Sequence, residues 1–274
     1  MTYTVNCSIL LTELPLLERP AAAKAAGFDA VEFWWPFAES VPADRDVDAF
    51  VGAIRDAGVQ LTGLNFNAGD MPAGDRGLVS WPARSNEFRD NIAVVAGIGE
   101  QLGTKGFNAL YGLRQEGVDA AEQDAAAIEN LAAAAAGVAP IGGTVLLEPV
   151  SGAPAYPLKT AADAVRVIDA VRAASGTANL KLLADFYHLA VNGDDVAAVI
   201  EAHAPSFGHI QIADDPGRGA PGTGGLPLEA WIARSRELGY GGPIGLEYKA
   251  PIDEAFTWLA GAEPSAATST AATA

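Results

Sequence analysis

The chain has 274 residues, half of them apolar, with 17 Lys+Arg against 34 Asp+Glu and a formal net charge of −17. That length suits one α/β barrel or two small domains with an ample core. So acidic a surface repels phosphate backbones and anionic lipid, and no apolar run is long enough to cross a bilayer, so neither a nucleic-acid nor a membrane partner is expected.

Residues 3–8 alternate as a first strand. Thr12 is expected to cap the following helix, with Pro15 near its start and Gly27 at its end. Residues 30–35 read as a second strand, residues 45–57 as a helix closed by Gly58, and residues 59–66 as a third strand. A Gly/Pro-rich loop over 67–82 precedes a helix at 87–102 and a fourth strand at 106–111. An Ala-rich helix at 120–138 leads to strand five at 144–147. Thr160, with Asp163 three positions on, caps a helix to residue 174. Strand six opens the segment 181–188, Lys-Leu-Leu-Ala-Asp-Phe-Tyr-His. Asp194 starts a helix to 202, strand seven spans 206–212, and a second Gly/Pro-rich loop covers 214–225. A helix at 226–238 and strand eight at 242–248 complete the series. Eight strand–helix units predict a single (β/α)8 TIM barrel over residues 1–260, with a loose Ala/Ser/Thr-rich tail at 261–274. No glycine-rich phosphate loop follows any strand, which disfavours a doubly wound sheet.

The last four strands end alike. Apolar runs stop at Glu148, Asp185, Gln211 and Glu247, each about one strand–helix unit from the next. In a parallel barrel the strand C-termini share one face, so these four side chains are expected to converge there. They supply only oxygen donors, which suits Mg²⁺ or Mn²⁺ better than zinc. His188 belongs in the loop after strand six, at the rim of the same pocket. His209 lies two residues before Gln211, on the same side of the strand but deeper, as a core residue or a support. Arg218, in the loop after strand seven, is the best-placed cation for an anionic substrate, with Lys249 a weaker candidate. Glu32 stands among Phe33, Trp34 and Trp35, a cluster that reads as core or interface, or as pocket wall. The two long loops are placed to close over the site. The single Cys7 cannot form an internal disulfide and the N-terminus lacks a basic segment followed by an apolar one, so a cytoplasmic protein is expected.

Several segments together resemble the hydroxypyruvate isomerase family of xylose-isomerase-like barrels. They are Asn6-Cys7-Ser8 with Thr12-Glu13, the stretch from Gly27 to Phe33, Ala68-Gly69-Asp70 through Gly77, Leu147-Glu148-Pro149, Asp185-Phe186-Tyr187-His188, Gly208 to Ile212, and Gly245-Leu246-Glu247-Tyr248. The resemblance implies a divalent metal held by Glu148, Asp185, Gln211 and Glu247, proton transfer by Glu148 and Glu247, and substrate contacts from His188 and Arg218. It implies isomerisation of hydroxypyruvate to tartronate semialdehyde through an enediolate. The same apparatus would serve a 2-oxo-tetronate or ketose isomerase or epimerase, or a sugar-acid binding protein without turnover. The partner expected is a small hydroxy-oxo acid, and a homo-oligomer is compatible with the sequence. Departures lie on the pocket wall: Val150-Ser151 stands where the family usually has Ile-Asn, and residues 107–112 and 189–194 also differ from the family pattern.

Overall fold

Short runs of apolar residues, buried on both faces as parallel strands require, build the centre of the molecule. A computed structural model describes residues 2–261. Its strands are β1 (Tyr3–Asn6), β2 (Ala30–Phe33), β3 (Gln60–Asn65), β4 (Gly106–Asn108), β5 (Thr144–Leu147), β6 (Leu180–Asp185), β7 (Phe207–Ile212) and β8 (Ile244–Leu246). All neighbours pair parallel in chain order, and β8 pairs back to β1, so the sheet closes. The helices are α1 (Arg19–Ala25), α2 (Asp44–Ala57), α3 (Ser85–Leu102), α4 (Ala120–Val138), α5 (Ala161–Ser175), α6 (Phe186–Val191), α7 (Val196–His203) and α8 (Leu228–Glu237). The expected barrel is the observed one. The expected tail lies outside the described residues except for Gly261, and no described helix is long and apolar enough to cross a membrane.

β2 shows how the layers form. Phe33 turns outward and meets Phe50 of α2 edge-on, with ring centroids 5.1 Å apart. Burying one such side chain contributes about 1.5–3 kcal/mol. Glu32, between Val31 and Phe33, points the other way, into the barrel, where it meets polar partners from β1 and β7.

Helix ends follow local chemistry where that chemistry is strong. Gly58 takes φ 66° and closes α2. Thr160 Oγ1 accepts from the Asp163 N–H while Asp163 Oδ2 accepts from the Thr160 N–H, a reciprocal cap on α5. The cap expected at Thr12 is not formed. The chain instead runs through a short 3-10 turn at Leu16–Glu18 into α1, and Arg19 braces the turn by donating to the carbonyls of Cys7, Thr12 and Leu14. His188 also departs from expectation. It lies on α6, which begins immediately after β6 because Asp185 caps it, accepting from the N–H groups of Tyr187 and His188.

The loop between β3 and α3 is pinned at Gly77, whose φ is 114°. A Cβ there would stand 2.0 Å from the Leu110 carbonyl oxygen, so only glycine lets the loop cross the end of β4.

Candidate active site

The C-terminal ends of the strands open into a cavity of about 1370 Å³, with Trp34, Asn65, Glu148, Ser151, His188, Arg218 and Glu247 among its walls. Glu148 follows β5 by one residue and Glu247 follows β8 by one, so two strand ends on the same face of the barrel deliver both carboxylates to one opening. Asp185 and Gln211 face each other in register on β6 and β7 and lie beneath that wall. Lys249 is an exposed residue at the mouth.

Each carboxylate has distinct partners. Glu148 Oε2 accepts from Asn108 Nδ2 at 2.8 Å. Glu247 Oε1 accepts from Arg218 Nη2 at 2.7 Å and from the Trp34 indole N–H at 3.2 Å. Asp185 spends Oδ1 on the α6 cap and turns Oδ2 toward Arg218 Nη2 at 3.4 Å. Burial, and then the neighbouring Asp185 charge, push the Glu148 carboxyl up to about 8. Burial also drives Glu247 well above the usual carboxylate range; Arg218 opposes this, while Glu148 and Asp185 add to it. Three acids so close cannot all stay ionised cheaply, so the site holds a proton or a cation.

His188 meets this cluster with one nitrogen only. Its Nδ1 lies 3.1 Å from the backbone N–H of Ser151 and 2.7 Å from Ser151 Oγ. A backbone N–H can only donate, so Nδ1 accepts and the ring proton resides on Nε2. Nε2 stands 3.9 Å from Glu148 Oε1 and 3.7 Å from Asp185 Oδ2. Burial lowers the imidazole pKa to about 4, leaving a neutral ring that offers an N–H to the cavity.

Below the acids lies a polar floor. Glu32 accepts from Gln211 Nε2 at 2.7 Å and from Asn6 Nδ2 at 3.1 Å, and its second oxygen is 2.7 Å from His209 Nε2. Gly245 makes the space: a Cβ there would stand 2.7 Å from Gln211 Cγ and 2.8 Å from Glu32 Oε1. Glu32 and His209 thus belong to the support beneath the site. Gln211 Oε1 is buried with no hydrogen-bond donor.

The donor set fits a hard divalent cation. Ligand atoms of Glu148, Asp185 and His188 come within 4.8 Å of one another. Because Nε2 of His188 carries its proton, the carboxylates and the unpartnered Gln211 Oε1 are the better donors, all of them oxygen. Glu247 is instead paired with Arg218.

The family model of xylose isomerase-like TIM barrels matches residues 20–267. The chain belongs to that family. Within this barrel family it is 54% identical over 264 residues, 94% of this chain and 95% of the relative, to a Streptomyces coelicolor protein whose hydroxypyruvate isomerase name is itself provisional. It is 32% identical to the hydroxypyruvate isomerase of Escherichia coli, with 91% and 93% of the two chains covered. It is 36% identical to the 2-oxo-tetronate isomerase of Cupriavidus necator, with 90% and 92% covered.

The residues that reading the sequence missed are Asn108, Ser151 and Trp34, the immediate neighbours of Glu148, His188 and Glu247. Trp34 carried a signal, an aromatic cluster at a strand end. Asn108 and Ser151 appeared only as departures from the family pattern.

Proposed function

We propose that this barrel is an isomerase that interconverts hydroxypyruvate and tartronate semialdehyde by moving a proton between adjacent carbons. The observation carrying this reading is the pair of buried glutamates, Glu148 and Glu247, that line one cavity and whose burial raises both carboxyls above the usual carboxylate range. One glutamate takes a proton from the hydroxymethyl carbon; the other delivers one to the former carbonyl carbon. The hydroxyl proton passes between the two oxygens, giving an aldehyde and a secondary alcohol. The reaction is reversible, so each glutamate is a base in one direction and an acid in the other. Asn108 and Trp34 orient the two carboxyls through their N–H groups. His188 Nε2–H donates to a substrate oxygen that gains charge in the enediolate. Arg218, the guanidinium beside Glu247, takes the substrate carboxylate. Mg²⁺ or Mn²⁺, held by Glu148, Asp185 and Gln211, with Glu247 as a fourth ligand once it parts from Arg218, would supply Lewis-acid polarisation of the carbonyl.

A second reading, 2-oxo-tetronate as substrate, draws support from a cavity far larger than a three-carbon acid. The test is turnover on hydroxypyruvate, 2-oxo-tetronate and a neutral ketose in heavy water, with and without chelator. Deuterium entering no substrate would make the protein a binder and overturn both readings. The lone buried cysteine fits a cytoplasmic setting for this reaction.

A further inference from the structure

The turn between β7 and α8 carries Arg218, and it is built around one carboxylate. Asp214 is 1% exposed. Its Oδ1 accepts from the N–H groups of Asp215 and Leu226, and its Oδ2 from those of Gly222 and Gly224, all at 2.9 Å. Its own backbone exchanges two hydrogen bonds with Gly219, at 2.8 and 3.1 Å. A single side chain therefore gathers both ends of the turn, and Arg218 rides on the ring so formed. Gly224 is part of the fit, since a Cβ there would stand 2.2 Å from the Asp215 carbonyl oxygen and 2.6 Å from Asp214 Oδ1.

Arg218 needs such a frame. Its φ of 57° lies in the left-handed region that a side-chain-bearing residue avoids, so the surrounding turn must hold it there. Its carbonyl accepts from the Lys249 N–H at 2.8 Å, its Nε donates to the Glu247 carbonyl at 3.1 Å, and its guanidinium carbon lies 5.5 Å from the centre of the Tyr187 ring. The guanidinium is thus aimed from a fixed platform. With four amide groups tied to Asp214 and Arg218 bonded to residues 247 and 249, the turn over residues 214–225 is braced both from within and against the end of β8.

We infer that Asp214 is a positioning residue, whose carboxylate shapes the β7–α8 turn so that Arg218 stands where a substrate carboxylate binds. An acid is required, because all four amide groups donate and only a carboxylate accepts on both oxygens. Asn at this position keeps the size but turns an NH2 group against two N–H donors. The inference rests on the proposed role of Arg218 in reading an acid, and two separate measurements keep the claims apart.

The first measurement is the Arg218 Nε–H signal by nuclear magnetic resonance, identified by its absence in Arg218→Ala. In the wild-type chain the bond to the Glu247 carbonyl slows its exchange with solvent, and Asp214→Asn is expected to abolish that protection. Unchanged protection would overturn the positioning role. The second is binding of glycerate, a non-isomerising hydroxy acid, to Mn²⁺-loaded protein by calorimetry. Asp214→Asn and Arg218→Ala are each expected to weaken it about ten- to a hundred-fold, the range for losing a charge-assisted contact. The double variant is expected to be no weaker than Arg218→Ala. Losses that multiply would mean that Asp214 acts on the site by another route, and would overturn the inference. Wild-type affinity in Arg218→Ala would remove the carboxylate reading alone, with the resonance signal still deciding the positioning. If thermal melting shows that Asp214→Asn does not fold, Asp214→Glu, which keeps the carboxylate but moves it by one methylene, is expected to give the same pattern in both measurements, and unchanged protection there would equally overturn the positioning role.

Discussion

Gln211 Nε2 donates to Glu32 Oε1 at 2.7 Å, and this bond fixes which end of the amide remains without a partner. Since Glu32 also receives Asn6 and pairs with His209, three buried polar groups depend on one carboxylate. Each buried donor left without an acceptor costs about 1–3 kcal/mol. Glu32→Ala is therefore expected to destabilise the fold by about 3 kcal/mol or more, and Glu32→Gln by clearly less. Urea denaturation measures both; equal midpoints would show that the floor bears no load.

Glu148→Gln and Glu247→Gln are each expected to lower turnover by about 10²–10⁴-fold, the range for general acid–base groups. Glutamine is nearly isosteric, so the melting temperature should move little. If both variants retain more than about a tenth of the rate, proton transfer does not run through these residues.

The melting temperature of chelator-treated protein should fall as pH rises from about 6.5 to about 8. The folded chain holds the Glu148 proton up to about 8, whereas the unfolded chain releases it near 4.5. The folded state thus binds more protons in that window, and its advantage disappears as pH rises through it. His188 has the opposite sign. With a folded value of about 4 against an ordinary 6.5, it takes stability away as pH falls through that interval. The two trends oppose each other between about 4.5 and 6.5, so the Glu148 effect stands clear only above it. Glu148→Gln should flatten the slope between 6.5 and 8; an unchanged slope would assign it to another group, Glu247 foremost.

Mn²⁺ is expected to bind once per chain and raise the melting temperature of chelator-treated protein by mass action. Asp185→Asn should weaken that binding, read by the electron paramagnetic resonance of free Mn²⁺. Binding that is indifferent to Asp185, or no thermal shift at saturating Mn²⁺, would remove the all-oxygen site.

Arg218→Ala should lose about tenfold more activity on hydroxypyruvate than on dihydroxyacetone, a neutral ketone of the same length. Some loss on both is expected because Arg218 also holds Glu247. Equal losses would mean that the guanidinium serves Glu247 and does not read the acid.

Reading the chain residue by residue goes furthest where neighbours in sequence decide the outcome. The Thr160–Asp163 cap, the left-handed Gly58 and the bounds of β5 and α4 depend on a few adjacent residues, and they stand as expected. The acids at the ends of β5, β6 and β8 were legible because a carboxylate closing an apolar run is conspicuous. Their partners were not. Asn108 reaches Glu148 across 40 residues and Trp34 reaches Glu247 across 213, and no local pattern encodes such pairings. Thr12 failed as a cap because Arg19, seven positions on, claims its carbonyl and braces the turn from the side. His188 stands on a helix and not in a loop because Asp185 is more than a site acid: its Oδ1 starts α6, a second duty that the residue type alone does not announce.

Gly245 ties the history of the floor to a single missing methyl group. The acid at 32, the amide at 211 and the imidazole at 209 all crowd the point where a Cβ on residue 245 would stand, the last at 3.0 Å. Drift at these four positions is therefore coupled. An alanine at 245 would meet all three polar residues at once, so each of them must shift or shorten to admit it, and a chain that keeps all three in place keeps the glycine. Among barrels of this family, a residue larger than glycine at this point of the eighth strand should accordingly mark a floor whose acid, amide and imidazole have been replaced or displaced, without any structure being determined.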